Sequence, residues 1–190
     1  MAETDNEIIQ NIRKGAKHDF ALLVDRYKDK AMTLAMRMLR NPEDAEEATQ
    51  DGFIRAYNAL DRFEGSAKFS TWLYRIVYNV CLTKLGKRKE EFREIDYDDE
   101  TAYPSSGSIW PADSNYESRE MVTIIKKVIE ELPEKYSIIL SLFYFQELSH
   151  EEICGVTQLP LGTVKTHLFR ARVLLQQRLV KDYDMENASL

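Results

Sequence analysis

Apolar positions recur at three- and four-residue spacing along most of the chain, the mark of helices with one buried face. Ile8, Ile9 and Ile12 give a short amphipathic segment ending near Gly15. Phe20, Leu23, Val24, Tyr27, Ala31, Leu34, Ala35 and Met38 then predict a long second helix. Asn41-Pro42 punctuates it. Asn can cap the next helix, Pro suits its first turn, and Glu43 and Asp44 fall at the positive end of its dipole. That third helix runs to about Leu60, with Ala45, Ala48, Phe53, Ala56 and Leu60 inward and Glu46, Glu47, Gln50, Asp51 and Arg55 outward. Gly52 in its interior costs roughly 1 kcal/mol against Ala, so tertiary packing must hold it. After a loop around Glu64-Gly65-Ser66, Ser70 is placed to cap a fourth helix with Phe69, Leu73, Ile76, Val77 and Val80 on its inner side.

The pattern breaks from Glu90 to Ser118, where Asp96, Asp98, Asp99 and Glu100 cluster ahead of Pro104-Ser105-Ser106-Gly107-Ser108 and Pro111. Turn formers and repelling charges disfavour a packed element. The expectation is an all-α protein of two small helical domains: residues 1–89, a flexible acidic linker over 90–118, a second domain over 119–182 and a tail over 183–190. Ile109 and Trp110 are apolar exceptions in the linker, able to dock elsewhere. Helical spacing resumes with Met121, Ile124, Ile125, Val128, Ile129 and Leu132, and Pro133 either ends that helix or opens the next. Tyr136, Ile139, Leu140 and Phe143 form a further inner stripe. Ser149-His150-Glu151-Glu152 is a capping-box pattern that starts a short helix through Ile153 and Val156. Leu159-Pro160-Leu161-Gly162 reads as a turn, and Val164, Leu168, Ala171, Leu175 and Leu179 face inward on the last helix.

Composition narrows the chemistry mainly by exclusion. No apolar run approaches the roughly 18 residues needed to span a membrane, and the acidic N-terminus lacks the basic-then-apolar order of a signal peptide, so a cytoplasmic location is expected. Cys81 and Cys154 form no close ligand pair, and His18, His150 and His167 are scattered. Neither a metal site nor a disulfide framework is expected. No glycine-rich phosphate loop or nucleophile elbow is present, so no cofactor and no catalytic constellation is read.

Charge changes the picture because it is segregated. The chain carries −6 overall. Yet Asp61–Lys89 holds seven bases against two acids, and Pro160–Lys181 holds five bases and no acid. Between them, Glu90–Glu120 holds ten acids and two bases. Fields act locally at a Debye length of about 8 Å, so two separate anionic contacts are possible. In the first basic block Phe63, Phe69, Trp72, Tyr74 and Tyr78 are interleaved, which suits either stacking on unpaired bases or a buried aromatic helix face. In the second, a short helix, a tight turn and a longer basic helix suggest a helix-turn-helix. There Lys165, Phe169, Arg172 and Gln176 share a stripe, with Thr166 and Arg170 beside it, all away from the apolar stripe. Lys and Arg can reach phosphates or guanine edges, and Phe or Thr a thymine methyl. Two other readings stay open on the residues alone: an ordinary helix-turn-helix transcriptional regulator whose N-terminal half senses or dimerises, and a helical adaptor that binds only proteins through its acidic third helix.

These residues also resemble a family. Leu132-Pro133-Glu134-Lys135-Tyr136, Glu147-Leu148-Ser149-His150-Glu151-Glu152-Ile153 and Leu159-Pro160-Leu161-Gly162-Thr163-Val164-Lys165-Thr166-His167-Leu168-Phe169-Arg170-Ala171-Arg172 resemble the promoter-recognition domain of bacterial extracytoplasmic-function sigma factors. Asp44-Ala45-Glu46-Glu47 through Gln50-Asp51-Gly52-Phe53-Ile54-Arg55-Ala56-Tyr57 resembles their polymerase-binding helix, and Phe69-Ser70-Thr71-Trp72-Leu73-Tyr74-Arg75-Ile76-Val77-Tyr78-Asn79 their promoter-melting segment. Ala48, Thr49 and Asp51 depart from the family's commoner residues, and Gly52 loosens the helix.

The resemblance implies a sigma factor that binds core RNA polymerase through the beta-prime clamp and the beta flap, directs it to promoters and assists melting. Glu47, Gln50 and Asp51 would meet the polymerase. Arg62, Phe63, Gly65, Lys68, Ser70, Trp72, Arg75 and Asn79 would meet the single-stranded minus-ten element, with a flipped base held by the loop from Asp61 to Ser70. Lys165, Thr166, Phe169, Arg170 and Arg172 would meet the minus-thirty-five element as duplex. The acidic linker would thread toward the active-site and RNA-exit channel, and control would come from a separate anti-sigma protein.

Overall fold

In the computed structural model the described residues are 3–86, 125, 128–129 and 131–187, with side chains described as far as 179. The acidic segment, Ile109 and Trp110 lie outside them, as does most of the helix expected from Met121 to Leu132. Seven α-helices, α1 to α7, are described. α1 (Asp5–Arg13) starts at Thr4, whose hydroxyl accepts from Glu7 N while the Glu7 carboxylate accepts from Thr4 N at 2.7 Å. α2 (Phe20–Leu39) ends on Arg40 in the left-handed region, at φ 53°. α3 (Pro42–Ala59) begins as its sequence predicts: Asn41 Oδ1 accepts from Asp44 N at 3.0 Å, with Pro42 in the first turn.

α4 (Phe69–Lys84) starts two residues earlier than a cap at Ser70 would place it. Lys68 occupies the capping position in an extended conformation, and no side chain caps the helix. Ser70 therefore sits inside the first turn, a correction to its reading as a cap. Phe69, Leu73, Val77 and Val80 are buried as predicted, but so are Thr71, Tyr74, Tyr78, Cys81 and Leu82. This helix is covered on more than one side.

Gly52 of α3 explains part of that crowding. A Cβ there would stand 2.6 Å from Val77 Cγ2 on α4, so only glycine lets the two helices approach this closely. Thr49, one turn earlier and buried, turns its hydroxyl to Ala45 O at 2.7 Å. A small-residue face on α3 is thus a packing device.

In the second domain α5 (Glu134–Leu140) opens after Pro133 and continues into a π-helical turn, Ser141–Phe145. α6 (His150–Thr157) carries the predicted capping box. Ser149 Oγ accepts from Glu152 N at 3.1 Å, and Glu152 accepts from Ser149 N at 2.8 Å. α6 ends on Gln158 in the left-handed region, at φ 62°. The turn is therefore Gln158 to Pro160, shorter than expected, and α7 (Leu161–Asn187) already includes Leu161 and Gly162. α7 also runs through residues 183–187, where the sequence pattern predicts a tail. Val164, Leu168, Ala171 and Leu175 are buried along it.

The two domains touch. α6 packs on α4, and the π turn and α5 pack on α2. Arg40 donates to Leu132 O and Gln146 Nε2 to Lys30 O, each at 3.0 Å.

Candidate nucleic-acid interface

The loop after α3 is built from the inside outward. A 3-10 turn, Leu60–Arg62, buries Leu60 and hands the chain to Phe63, which is 6% exposed. The Phe63 ring packs on Trp72 at 5.1 Å and on Phe69 at 5.8 Å, and Phe69 meets Trp72 at 5.7 Å. Phe63 thus supports the loop from within and presents no face to a ligand here. Gly65 takes φ +73°, which turns the loop tip. Arg62, Gly65 and Lys68 are exposed, as is Arg75. Ser70, Trp72 and Asn79 are half-buried. Trp72, Arg75 and Asn79 follow at three- and four-residue steps, so they share one stripe of α4 beside the loop.

Of the interleaved aromatics, Phe63, Phe69, Tyr74 and Tyr78 are core residues. Burial pushes the Tyr74 and Tyr78 hydroxyls well above the usual phenol range, with Asp5 adding to the first and Glu134 and Cys81 to the second. Trp72 stays at the border, half of it on the Phe63–Phe69 cluster and half available.

The outer face of α3 keeps Glu47 and Gln50 exposed and Asp51 half-buried. Glu47 is not idle: Lys84 Nζ lies 2.8 Å from it and 3.6 Å from Asp44. The Glu47 hydrogen bond, opposed by partial burial and helped by the charges of Glu47 and Asp44, holds the Lys84 ammonium above its ordinary value. Gln50 donates to Glu46 Oε1 at 3.2 Å.

On α7 Lys165 and Phe169 are exposed, Phe169 at 37%, and Thr166 and Arg170 are half-buried beside them. Arg172 belongs to the same stripe by spacing but is drawn aside. Its Nε donates to the Tyr144 hydroxyl at 3.0 Å, and its guanidinium lies 5.2 Å from the Phe143 ring and 5.7 Å from that of Tyr144. Phe143 in turn stacks on His150 at 5.4 Å. A shelf of His150, Phe143, Tyr144 and Arg172 thereby ties the start of α6, the π turn and α7 together. His167, in the same motif, is 5% exposed and packs edge-on against Tyr136 at 5.7 Å, a core position.

A link that no local pattern announces joins the two basic regions. Lys68 Nζ stands 3.0 Å from Glu152 Oε1 on α6, and Thr71 Oγ1 lies 3.4 Å from the same oxygen. Burial works to raise the Glu152 carboxyl, but the Ser149 backbone N–H, Lys68 and the Thr71 hydroxyl outweigh it and hold the group below its usual value. A Cβ on Gly155, one turn along α6, would lie 3.6 Å from Thr71 Cγ2. The start of α4 is therefore covered on one flank by the first helix of the helix-turn-helix, and Lys68, still exposed, ties the loop to it.

Among the described residues no cluster of His, Cys, Asp and Glu is arranged to hold a metal, and no helix is long and apolar enough to cross a membrane.

Comparison with known proteins agrees with this division. Residues 23–91 match the family Sigma-70 region 2, and residues 123–175 match Sigma-70, region 4. The ECF RNA polymerase sigma factor SigW of Bacillus subtilis is 38% identical over 177 residues, which is 90% of this chain and 94% of that protein. The RNA polymerase sigma-H factor of Pseudomonas aeruginosa is 34% identical over 93% of this chain and 94% of its own. The ECF RNA polymerase sigma-E factor of Escherichia coli is 34% identical with the same coverage. Among solved structures, CnrH in complex with the cytosolic domain of CnrY has a TM-score of 0.65 at 20% identity, over 95% of this chain and 99% of that one. The sigma factor RpoE in complex with the anti-sigma factor NepR from Bartonella quintana has a TM-score of 0.60 at 22% identity, over 85% and 96%. With both sigma regions in order and curated relatives matched over nearly their full length, this chain belongs to the extracytoplasmic-function sigma factors, which are transcription initiation factors and not enzymes.

Proposed function

We propose a division of labour within this sigma factor. Glu47, Gln50 and Asp51 on the outer face of α3 meet the beta-prime clamp of core RNA polymerase, and the second domain meets the beta flap. The Asp61–Ser70 loop, with Arg62, Gly65, Lys68, Trp72, Arg75 and Asn79, takes the non-template strand of the minus-ten element. Phe63 acts there as a support. Lys165, Thr166, Phe169 and Arg170 on α7 read the minus-thirty-five duplex, while Arg172 fixes α7 against the π turn. The chain works in the cytoplasm, where it meets polymerase, and a separate anti-sigma protein controls it, as in the RpoE–NepR complex.

One observation carries this reading. The short capped helix α6, a three-residue turn and α7 set Lys165 and Phe169 on the solvent side, in the same chain as an exposed loop that carries Arg62 and Lys68 and is anchored on aromatics. Run-off transcription with purified core polymerase on genomic fragments tests it. The chain is expected to direct initiation from a subset of fragments, and an absence of initiation from every fragment overturns it.

The residues on α7 have their own test. Lys165→Ala and Arg170→Ala are each expected to weaken holoenzyme binding to a selected duplex promoter. Removing a side chain that binds a phosphate reduces the slope of log affinity against log salt by about 1, and removing one that reads a base costs roughly 1–3 kcal/mol. Affinity and slope that both stay at wild-type values remove these residues from the interface.

The closed packing sets a condition on this function. Minus-ten and minus-thirty-five elements are separated by about 25 base pairs, on the order of 85 Å of B-form DNA at roughly 3.4 Å per pair. Here Lys68 of one reading surface is bonded to Glu152 at the foot of the other. A molecule that reads both elements at once must part its domains. The 38 residues between Gly86 and Ile125 can reach at most roughly 130 Å when extended, enough to allow it.

A further inference from the structure

We propose that Arg13, at the C-terminal end of α1, is a positioning residue for the minus-ten loop. Its Nη2 donates to Leu60 O at 2.9 Å and also to Phe63 O, 47 and 50 residues further along the chain. These carbonyls are the two ends of the 3-10 turn from which the loop springs. Phe63 N already donates to Leu60 O at 3.1 Å, so the guanidinium closes a ring of bonds over the base of the loop.

The physical need for such a clamp is visible in the loop. Glu64 to Lys68 are all exposed, Gly65 is in the left-handed region, and the following helix has no side-chain cap. The rings of Phe63, Phe69 and Trp72 anchor the loop from inside, but rings fix side chains and leave the backbone free to tilt. A site that holds one extruded base must keep its geometry to within about 0.5 Å. A planar, permanently charged donor on two carbonyls supplies that from the outside, because charge-assisted bonds are stronger than neutral ones. α1 is itself fixed: Ile8, Ile9 and Ile12 are buried, and Asp5 is held by Arg26 and Tyr27. Arg13 thereby transmits a rigid helix to the loop without itself touching DNA.

This rests on the reading of the Asp61–Ser70 loop as the surface that meets the minus-ten strand. The test uses holoenzyme reconstituted with the full chain and a promoter fragment it has selected, with each minus-ten base replaced in turn. The readout is the ratio of initiation on the native to the replaced fragment. Arg13→Met keeps the aliphatic stem and removes the donors; it is expected to lower that ratio by about tenfold (roughly 1.4 kcal/mol), with affinity for core polymerase unchanged and the protein still folded at the assay temperature. Arg13→Lys, a point-charge donor, should recover part of the ratio, which a merely structural role would not predict. Wild-type discrimination in Arg13→Met overturns the clamp, as does a discrimination that falls only in step with folding or core affinity. Lys68→Ala and Arg62→Ala separate the two levels. If they relax discrimination and Arg13→Met does not, the clamp fails and the loop reading stands. If none of the three has an effect, the loop reading fails and takes the clamp with it.

Discussion

A disulfide between Thr71→Cys and Gly155→Cys is expected to abolish promoter-directed initiation, and its reduction to restore it. A Cβ on Gly155 would lie 3.6 Å from Thr71 Cγ2. The two Cβ atoms would then stand within about a bond length of the 3.5–4.5 Å that a disulfide requires. Gly155 lies in α6 outside the left-handed region, so cysteine is conformationally allowed there. The native thiols need separate handling. Cys154 adjoins the new site and is half-buried, so it is replaced by Ser. Cys81 can stay: burial, opposed only in part by Lys84, pushes its thiol up to about 12. A thiol so raised is a poor partner in exchange at neutral pH, where the thiolate is the reactive form. The oxidised protein would hold α6 against α4 and keep the two reading surfaces together. Since the two promoter elements lie on the order of 85 Å apart, run-off yield should fall at least tenfold on oxidation and return with reductant. The reduced double variant, assayed beside it, reports any cost of the substitutions themselves. Equal yields from oxidised and reduced protein would mean that initiation tolerates the closed packing, and the requirement for separation would be wrong.

The junction of α4 and α6 also shows where sequence reasoning runs out. Caps are local, so Asn41 and Ser149 are legible from three or four residues each, and both bonds are present. Single inner faces are legible too, because a 3.6-residue period reports which stripe is buried. α4 defeats that logic: Thr71 and Tyr78 are buried on a flank that meets the second domain, outside the stripe that fits the first. A polar residue covered by another domain has no periodic signature. Lys68 reads in sequence as a free partner for phosphate, and its bond to Glu152 lies across 84 residues of chain. The stripe on α7 assigns Arg172 to the DNA face, but Phe143 and Tyr144 compete for its guanidinium, and no pattern in α7 could reveal them. Arg13 carries no signature at all, because its acceptors are backbone carbonyls, which every residue has. Ser70 fails as a cap for a smaller reason: the helix begins at Phe69, with its cap two residues back at Lys68, and the Phe69 ring packs on Phe63, Tyr27 and Trp72.

Gly52 gives the second large expected effect, and here sequence and packing predict opposite signs. Helix propensity alone says that Gly52→Ala should stabilise by up to about 1 kcal/mol. The structure puts the new methyl 2.6 Å from Val77 Cγ2, well inside van der Waals distance, with Val77 Cα at 3.5 Å behind it. Val77 is fully buried and β-branched, so it has little freedom to turn away. Overpacking of this kind costs typically 1–3 kcal/mol, so the net change should be a loss of up to about 2 kcal/mol. At roughly 2–4 °C per kcal/mol for a chain of this size, the melting temperature should drop by several degrees. Val77→Ala alone also destabilises, by leaving a cavity. Combined, the two changes exchange a methyl across the α3–α4 junction, and the double variant should be more stable than the sum of the single losses by about 1–3 kcal/mol. Thermal or urea unfolding of the four proteins measures this coupling. Additive losses, or a gain in stability from Gly52→Ala, would mean that α3 and α4 can separate at no cost. The coupling matters beyond stability, because α3 carries the face proposed for polymerase and α4 the face proposed for the minus-ten strand. With Val77 packed directly on the Gly52 backbone, a shift of one helix is passed to the other. Gly52→Ala should therefore reduce initiation from selected promoters at temperatures where the protein is still folded.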